Sequence, residues 1–141
     1  MMTKKFKILA QFIKDMSSET PDVETYIFVK DYISKYQLDI DINSKPLKDK
    51  MVQVNTILKF EDKEQRKKKS YFEINYATII KLDEEIKQKS ELEKIILCDV
   101  QNEIYPELEK SLLNLLHNSG FPDVKFDKKE NFEDLYNQRF N

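Results

Sequence analysis

Glycine, cysteine and histidine are almost absent from this sequence of 141 residues, and each scarcity removes a class of function. One glycine cannot build a glycine-rich phosphate-binding loop, which needs several glycines close together. One cysteine, Cys98, cannot form an internal disulfide, and it shares no metal-ligand spacing with the one histidine, His117. We therefore expect no metal and no cofactor, and we predict that the protein is not an enzyme.

Long apolar runs are missing as well. No N-terminal segment is apolar for long enough to be a signal peptide or a membrane span, so we expect a cytoplasmic protein without membrane insertion. The charges nearly balance, with 24 basic and 26 acidic residues, and leave no global field that would attract nucleic acid. The hydrophobic fraction of 40% is enough for one core, which predicts a single domain over residues 1–141.

Apolar and polar residues alternate in four segments, a period that predicts β-strands with one buried face. Alternation of this kind is typical of an antiparallel sheet that helices cover on one side, so we predict an α+β fold. The apolar positions are Phe6, Ile8, Ala10 and Phe12; Tyr36, Leu38, Ile40 and Ile42; Val52, Val54, Leu58 and Phe60; and Phe72, Ile74, Tyr76, Ile80 and Leu82.

Helical patterns follow in the second half of the chain. Ser90 and Glu93 form a capping-box pattern that predicts the start of a short helix, and Pro106 suits the first turn of a longer one. The longer helix has an apolar stripe broad enough to contact both the sheet and a second subunit. Its members are Ile104, Tyr105, Leu108, Leu112, Leu113, Leu115 and Leu116.

The only glycine, Gly120, comes directly after this leucine-rich helix. A left-handed cap residue is favoured there, and Pro122 prevents the helix from restarting. Asn131 is the predicted N-cap of a last, short helix. The apolar residues at helical spacing in that helix are Phe132, Leu135, Tyr136 and Phe140.

The charged run "EDKEQRKKK", residues 61–69, lies between the third and fourth predicted strands. It can be a solvated hairpin tip or a basic binding site for RNA or lipid headgroups. Glu61, Asp62 and Glu64 dilute the positive charge and no aromatic residue is interleaved for stacking, which favours the hairpin tip.

Four segments in this order resemble the SecB family of bacterial protein-export chaperones: "FIKDMSSETP" (12–21), "VKDYISKYQLDIDI" (29–42), "YFEINYA" (71–77) and "GFPDVKFDKKENFEDLY" (120–136). The resemblance implies a four-stranded antiparallel sheet backed by a long helix and a short C-terminal helix, assembled as a homotetramer, a dimer of dimers. It also implies a function without ATP: binding unfolded precursor proteins in a long apolar groove and delivering them to the SecA motor for export.

The resemblance further assigns residues to three surfaces. The client groove would contain Tyr26, Phe28 and Tyr32 of the loop after the first strand, together with Phe121, Phe126, Phe132, Leu135 and Tyr136. The SecA contact would contain Asp15, Glu19, Tyr71 and Glu73. The oligomer interface would contain Phe72, Ile74, Tyr76, Leu108, Leu112 and Leu115, although their pattern suits core packing equally well.

Two other functions remain open. A SecB-like chaperone can instead serve one dedicated partner, such as the antitoxin of a toxin–antitoxin pair, but the acidic residues of the SecA contact favour export. An adaptor that binds RNA or anionic membranes through residues 63–69 would show strongly salt-dependent affinity.

Overall fold

The four alternating segments form the strands of one antiparallel sheet, as the sequence predicts. The computed structural model describes residues 5–64, 66–126 and 129–140. Residues 139 and 140 are described by their backbone alone. Strand β1 spans Phe6–Glu19, β2 spans Gln37–Pro46, β3 spans Met51–Glu61 and β4 spans Tyr71–Leu82. Their order across the sheet is β1-β4-β3-β2, so β1 and β2 are the two edge strands.

Strand β1 differs from its prediction in length and in the face of the sheet on which its side chains lie. It continues to Glu19, and its register with β4 shifts between Ile8 and Ala10 and again between Ile13 and Asp15. Each shift inserts an extra residue, which turns the following side chains to the opposite face. Ala10 and Phe12, predicted on the buried face, are therefore exposed on the outer face, and that part of the prediction is wrong.

A helix, not a loop, follows β1. Helix α1 spans Val23–Tyr32 and leads into a 3₁₀ turn at Ile33–Lys35. The Asp22 carboxylate accepts the backbone N–H of Thr25 at 2.7 Å, an N-cap that the sequence prediction overlooked. Hydrogen bonds from the Thr25 side chain and from its backbone N–H lower the pKa of Asp22, since both favour the ionised cap.

The long helical segment begins earlier than its sequence signals predict. Helix α2 spans Lys89–Lys94, a π-helical turn covers Ile95–Asp99, and helix α3 spans Val100–Asn118. The Ser90–Glu93 capping box is not formed, because Gln88 occupies the N-cap position and no side chain caps the helix. Pro106 lies inside α3 rather than in its first turn, because the chain is already helical through the π-helical turn.

Gly120 ends α3 as predicted. Its φ angle is 101°, the Gly120 N–H bonds to the His117 carbonyl at 3.2 Å, and the Phe121 N–H bonds to the Leu116 carbonyl at 3.0 Å. This pair of bonds is the Schellman motif, which satisfies the last carbonyls of a helix. A second constraint comes from α1: a Cβ at Gly120 would lie 2.6 Å from the Tyr26 ring, whose hydroxyl donates to the Gly120 carbonyl at 2.6 Å.

The last helix, α4, spans Phe132–Phe140, and the predicted N-cap is confirmed. The Asn131 side-chain oxygen accepts the backbone N–H of Asp134 at 3.1 Å. The prediction that Phe140 lies on the apolar side of this helix falls outside the described residues, which include only the backbone of Phe140. No helix in the described ranges is long and apolar enough to cross a membrane.

The core lies between one face of the sheet and helix α3 with its preceding π-helical turn. One cluster includes Leu58, Phe60, Phe72 and Ile74 of the sheet with Leu108, Leu112 and Leu116 of α3. The adjacent cluster includes Val52, Val54 and Ile80 with Ile95, Val100 and Ile104. Beyond the sheet, the C-terminal aromatic residues Phe121 and Phe132 join the first cluster, so the polypeptide after α3 folds back onto the core.

Candidate functional site

An apolar groove follows the edge strand β2. The side chains of Leu38, Ile40 and Ile42 point to the same side of the sheet as the core, but they are only half-buried. Helix α3 packs over the middle of the sheet and does not fully cover this edge. The segments that approach β2 from outside are the hinge residues 121–126 and helix α4.

The wider end of this groove is a cavity of about 550 Å³, here called the Phe126 cavity. Its rings are in contact: Phe60 lies 5.5 Å from the tilted ring of Tyr36 and 5.6 Å from Phe126 in an edge-to-face arrangement, measured between ring centroids. The lining residues are Ile33, Ser34, Tyr36, Leu38, Phe60, Asp123, Val124, Lys125 and Phe126. Leu38 of β2 and Phe60 of β3 therefore share this wall with two further rings, Tyr36 and Phe126.

The second cavity, here called the Tyr136 cavity, has a volume of about 180 Å³ and lies under helix α4. It is lined by Ile40, Ile42, Leu97, Phe132, Leu135 and Tyr136. The π-helical turn supplies Leu97, and the Asn131 cap fixes the start of the helix that supplies the last three residues. Because Leu38 belongs to one cavity and Ile40 and Ile42 to the other, the two cavities follow one strand. Together they are called the β2 groove.

The structure brings together only part of the predicted client groove. Phe126, Phe132, Leu135 and Tyr136 line the two cavities, with Leu135 the most exposed of them at 40%. Phe121 is 3% exposed and packs on Phe72 at 5.7 Å between ring centroids, so it is a core residue.

The aromatic residues of α1 lie elsewhere. Tyr26 contacts the Phe121 ring at 5.3 Å, and Phe28 stacks on Tyr32 at 4.7 Å. All three are half-buried, and none of them lines either of the two cavities. Of the three, Tyr26 supports the hinge segment, through its contact with Phe121.

Several groove residues escaped the sequence prediction, among them Ile33, Leu38, Ile40, Ile42, Leu97 and Val124. A signal for the β2 residues was present, because their alternation marks an apolar face. That alternation does not reveal that β2 is an edge strand, where the apolar face stays partly open. The position of a strand in the sheet order decides this.

The four residues of the predicted SecA contact share the outer face of the sheet. Glu19 pairs with Tyr71 across β1 and β4, and Ser17 pairs with Glu73, while Phe72 between them points to the core. Asp15 pairs with Asn75 on the same outer face. Cross-strand partners lie on one face, so the carboxylates of Asp15, Glu19 and Glu73 form an acidic row.

The Glu73 carboxylate of this acidic row has two partners. The Tyr71 hydroxyl donates to the Glu73 carboxylate at 2.9 Å, and the Lys59 ammonium lies 3.7 Å from the same carboxylate. Burial, together with the hydrogen bond and the negative charge of Glu73, raises the pKa of Tyr71 to about 12. A shallow depression of about 480 Å³ adjoins the row and is lined by Ser18, Glu19, Thr20, Pro21, Lys69 and Tyr71.

The charged run at 61–69 is held by ion pairs. Arg66 donates to both carboxylate oxygens of the buried Asp62 at 2.7 Å, and its guanidinium lies 4.6 Å from the centre of the Tyr32 ring. Burial alone would raise the pKa of Asp62, but the hydrogen bonds from Arg66 and from the Glu64 N–H outweigh it and lower the pKa.

Two lysines of this hairpin, Lys63 and Lys68, form ion pairs with carboxylates. Lys63 contacts Asp39 and lies 3.2 Å from Glu61, and Lys68 lies 3.5 Å from Glu24. Gln65 lies outside the described residues. The contacts of Arg66 and Lys63 agree with a hairpin tip, because cations engaged by carboxylates attract phosphates less.

The predicted oligomer interface needs a correction. Phe72, Ile74, Leu108 and Leu112 are completely buried inside one protomer, where a second subunit cannot reach them. For these four residues the interface prediction is wrong, because the helix stripe that was expected to face a partner packs on the chain's own sheet. Tyr76 and Leu115 are half-buried, so their side chains stay accessible in part.

Four of the exposed large apolar side chains lie on β1. Leu9, Phe12, Ile13 and Met16 are 45%, 46%, 44% and 48% exposed. Because of the shifted register, Ile13 and Met16 lie on the helix side of the sheet and Phe12 on the outer side. Strand β1 is therefore apolar on both faces, which is unusual for an edge strand that meets only water.

The described residues contain no group of three or more His, Cys, Asp or Glu side chains that could hold a metal ion. Cys98 is buried beside α3, and burial raises the pKa of its thiol, so the reactive thiolate is disfavoured.

Comparison with known families decides the class of the protein. A family model described as preprotein translocase subunit SecB matches residues 1–141. The chain belongs to the SecB family. SecB proteins are protein-export chaperones, so this family member is a chaperone and not an enzyme.

Individual relatives agree with the family assignment. The chain is 59% identical over 140 residues to the "Putative protein-export protein SecB" of Pelagibacter ubique, covering 99% of this chain and 100% of the relative. It is 25% identical over 131 residues to the protein-export protein SecB of Methylocella silvestris, covering 93% and 80% of the two chains.

A solved structure supports the SecB-like fold. It is a SecB-like chaperone from Mycobacterium tuberculosis in complex with a peptide from the HigA1 antitoxin. The TM-score is 0.63 at 11% identity, with 89% of this chain and 91% of that chain covered. At this identity the similarity shows the fold alone.

Proposed function

We propose that the protein binds unfolded precursor proteins in the β2 groove, keeps them competent for translocation without ATP, and delivers them to SecA in the cytoplasm. The observation that carries this proposal is the pair of cavities along β2, whose lining is largely apolar and aromatic. The SecB family assignment supports the same role.

The groove distinguishes unfolded from folded chains by what they expose. An unfolded chain presents apolar and aromatic side chains that a folded protein hides in its core. Burying one large apolar side chain contributes roughly 1.5–3 kcal/mol, so a few of them suffice for reversible binding. A chaperone that binds only the unfolded state keeps it from aggregating by mass action, with no need for ATP.

The acidic row of Asp15, Glu19 and Glu73 is the proposed contact with SecA. The row lies on the outer face of the sheet, whereas the β2 groove lies toward the helices. A client and SecA could therefore bind the same subunit at the same time. A row of carboxylates on the outer face suits a basic partner, and such a contact would weaken with salt.

The proposed assembly is a homotetramer built as a dimer of dimers. Its first contact is assigned to β1, whose exposed residues Leu9, Phe12, Ile13 and Met16 would be covered by the β1 strand of a second subunit. Pairing of two edge strands would also satisfy their backbone hydrogen-bonding groups. Tyr76 and Leu115 are the members of the predicted interface that stay available for a further contact.

The test is size-exclusion chromatography with light scattering. The protein is run alone, with a secretory precursor freshly diluted from denaturant, and with the same precursor after folding. A tetramer-sized species that carries only the unfolded precursor is the expected result. A protein that leaves the precursor to aggregate would contradict the proposal and direct the search to one dedicated partner, such as an antitoxin.

A further inference from the structure

Two hydrogen-bonded polar side chains lie inside the core, next to the Tyr136 cavity. Gln101 of α3 and Thr56 of β3 are both completely buried. The Thr56 hydroxyl donates to the Gln101 side-chain oxygen at 3.0 Å, and the Gln101 side-chain nitrogen donates to the Ile96 carbonyl at 3.2 Å. Burying an amide costs free energy unless hydrogen bonds replace those to water, so a buried Gln101 depends on both partners.

The Ile96 carbonyl belongs to the π-helical turn Ile95–Asp99. In an α-helix this carbonyl would accept the backbone N–H of Val100, four residues later. Here the Val100 N–H bonds instead to the Ile95 carbonyl, five residues earlier. The Gln101 side chain therefore donates to the carbonyl that has lost its α-helical partner, and this bond stabilises the turn in its π-helical form.

Leu97, the next residue of the turn, lines the Tyr136 cavity. Its neighbours Ile95, Ile96 and Cys98 are buried in the core, whereas Leu97 is half-buried. If the turn became α-helical, the segments before and after it would rotate relative to each other by roughly 100°, the angle that one residue spans in an α-helix. Leu97 would then lose its present direction into the cavity wall.

The other end of this hydrogen-bond network reaches a second wall of the cavity. Thr56 pairs directly with Ile42 across β3 and β2, and the Ile42 side chain lines the same cavity. Gln101 therefore connects the strand beside Ile42 with the turn that contains Leu97, through one hydrogen bond to each. The separation of these two walls sets the width of the cavity.

The third wall, helix α4, has an anchor of its own. Phe132 is 2% exposed, and its ring lies 5.2 Å from the ring of Tyr105 on α3 in an edge-to-face contact. This contact does not involve the π-helical turn. Leu97 is thus the part of the cavity wall whose position depends on Gln101.

We propose that Gln101 is a positioning residue for client recognition, which holds Leu97 in the wall of the Tyr136 cavity and so limits the size of the client side chain that enters. An apolar cavity of roughly 150 Å³ holds one benzene molecule. The Tyr136 cavity, at about 180 Å³, therefore suits one side chain of the size of leucine, whereas an indole suits the Phe126 cavity, at about 550 Å³. This inference rests on the proposed function and names what sets the selectivity of the groove.

The test is methyl NMR on the full chain, titrated with N-acetyl-leucinamide and with N-acetyl-tryptophanamide. The Leu135 methyl groups report on the Tyr136 cavity and the Leu38 methyl groups on the Phe126 cavity, so each titration gives one dissociation constant per cavity. In the wild type we expect the Tyr136 cavity to bind the leucine probe about threefold to tenfold more tightly than the tryptophan probe, because an indole overfills it. The Phe126 cavity should prefer the tryptophan probe.

Thr56→Val removes the hydroxyl that donates to Gln101 and keeps the shape of the side chain. The preference of the Tyr136 cavity for leucine should then shrink about threefold, and Gln101→Met, which removes both hydrogen bonds, should abolish it. The preference of the Phe126 cavity should not change in either variant. Thr78→Val is the matched control, because Thr78 is also completely buried on the same face of the sheet and its hydroxyl has no hydrogen-bond partner among the described residues.

An unchanged leucine-to-tryptophan ratio at the Tyr136 cavity in Thr56→Val and Gln101→Met would overturn the inference, even if both variants melt at a lower temperature. A merely structural role of Gln101 lowers stability and leaves selectivity as it was. An equal change of the ratio in Thr78→Val would also contradict the inference, as would a wild-type Tyr136 cavity that binds neither probe.

Leu97→Ala shows whether the effect passes through Leu97. In this background Thr56→Val should no longer change the ratio, since the side chain that the network positions is gone. A further change of the same size would mean that Gln101 acts by another route, and the inference would be wrong. Capture of a whole unfolded precursor by the same proteins, measured in parallel, decides the proposed function separately.

Discussion

The two edges of the sheet differ in regularity and in the distribution of apolar side chains. Strand β1 has two register shifts and exposes apolar residues on both faces, whereas β2 is regular and apolar on one face only. An edge that is apolar on both faces suits a permanent contact, because water is unfavourable on either side. An edge with one apolar and one acidic face remains soluble when empty and suits reversible binding.

The largest expected effect comes from breaking the core that supports both edges. Phe72→Ala removes a fully buried ring that packs between Phe60 and Phe121, and should lower the free energy of unfolding by about 3–5 kcal/mol. Urea denaturation measures this. Val23→Ala, at a residue that is 72% exposed on α1, is the control and should change stability by less than about 0.5 kcal/mol.

The next largest effect should separate the β1 edge from the β2 edge. Ile13→Lys combined with Met16→Lys places two charges on the proposed subunit contact, and the molar mass measured by light scattering should fall below that of a tetramer. The control Val23→Lys adds one charge at an exposed position of α1 and should leave the mass unchanged. An unchanged mass for the β1 variant would assign the subunit contact elsewhere.

A charge in the groove tests the β2 edge alone. Leu135→Asp puts a carboxylate into the Tyr136 cavity at a position that is 40% exposed, so the fold should tolerate it. We expect about tenfold weaker binding of an unfolded precursor, which corresponds to the loss of one apolar contact. Stability and molar mass are measured beside it, and a variant that binds at full strength would remove α4 from the client site.

Charge reversal of the acidic row sharpens the contrast between the outer face and the groove. Asp15→Lys, Glu19→Lys and Glu73→Lys together should weaken SecA binding several-fold, about 1 kcal/mol in total, because exposed ion pairs contribute little individually. Binding of unfolded chains should be retained. Glu84→Lys, a single charge reversal in the exposed turn after β4, is the control, and surface plasmon resonance at two salt concentrations measures binding of SecA and of unfolded chains.

The smallest effect concerns pH. The pKa of Tyr71 is raised to about 12, so above pH 10, the ordinary value, the unfolded chain releases this proton while the folded chain keeps it. The free energy of unfolding should therefore fall as pH rises from about 10 to about 12. Tyr71→Phe should make this decrease smaller, and an identical pH dependence in both proteins would contradict the assignment.

Local sequence signals predicted part of the fold well. Gly120 and Asn131 have the predicted cap geometry, because capping depends on residues within one helical turn. The Ser90–Glu93 pattern did not form a capping box. The chain is already helical at Lys89, so Ser90 lies inside the helix and has no helix start to cap. Helix α1 was missed because its Asp22 cap was not recognised among the loop residues that surround it.

The candidate site was only partly predictable. Phe126, Leu135 and Tyr136 line the two cavities along β2, whereas Phe121 belongs to the core. Leu38, Ile40 and Ile42 were assigned to a strand face, but the order of strands shows that this face is open. A residue's alternation gives the direction of its side chain and contains no information about what covers it.

By itself the sequence determined the strands, the helix ends around Gly120 and Asn131, and the family, since each depends on residue order and short-range geometry. Only the tertiary structure decided which strands are edges, how the register shifts of β1 distribute Phe12 and Ile13 between two faces, and which aromatic residues are core. These properties depend on contacts between residues far apart in the chain. Burial is therefore a property of the assembled sheet and helices, and the two open edges follow from their arrangement.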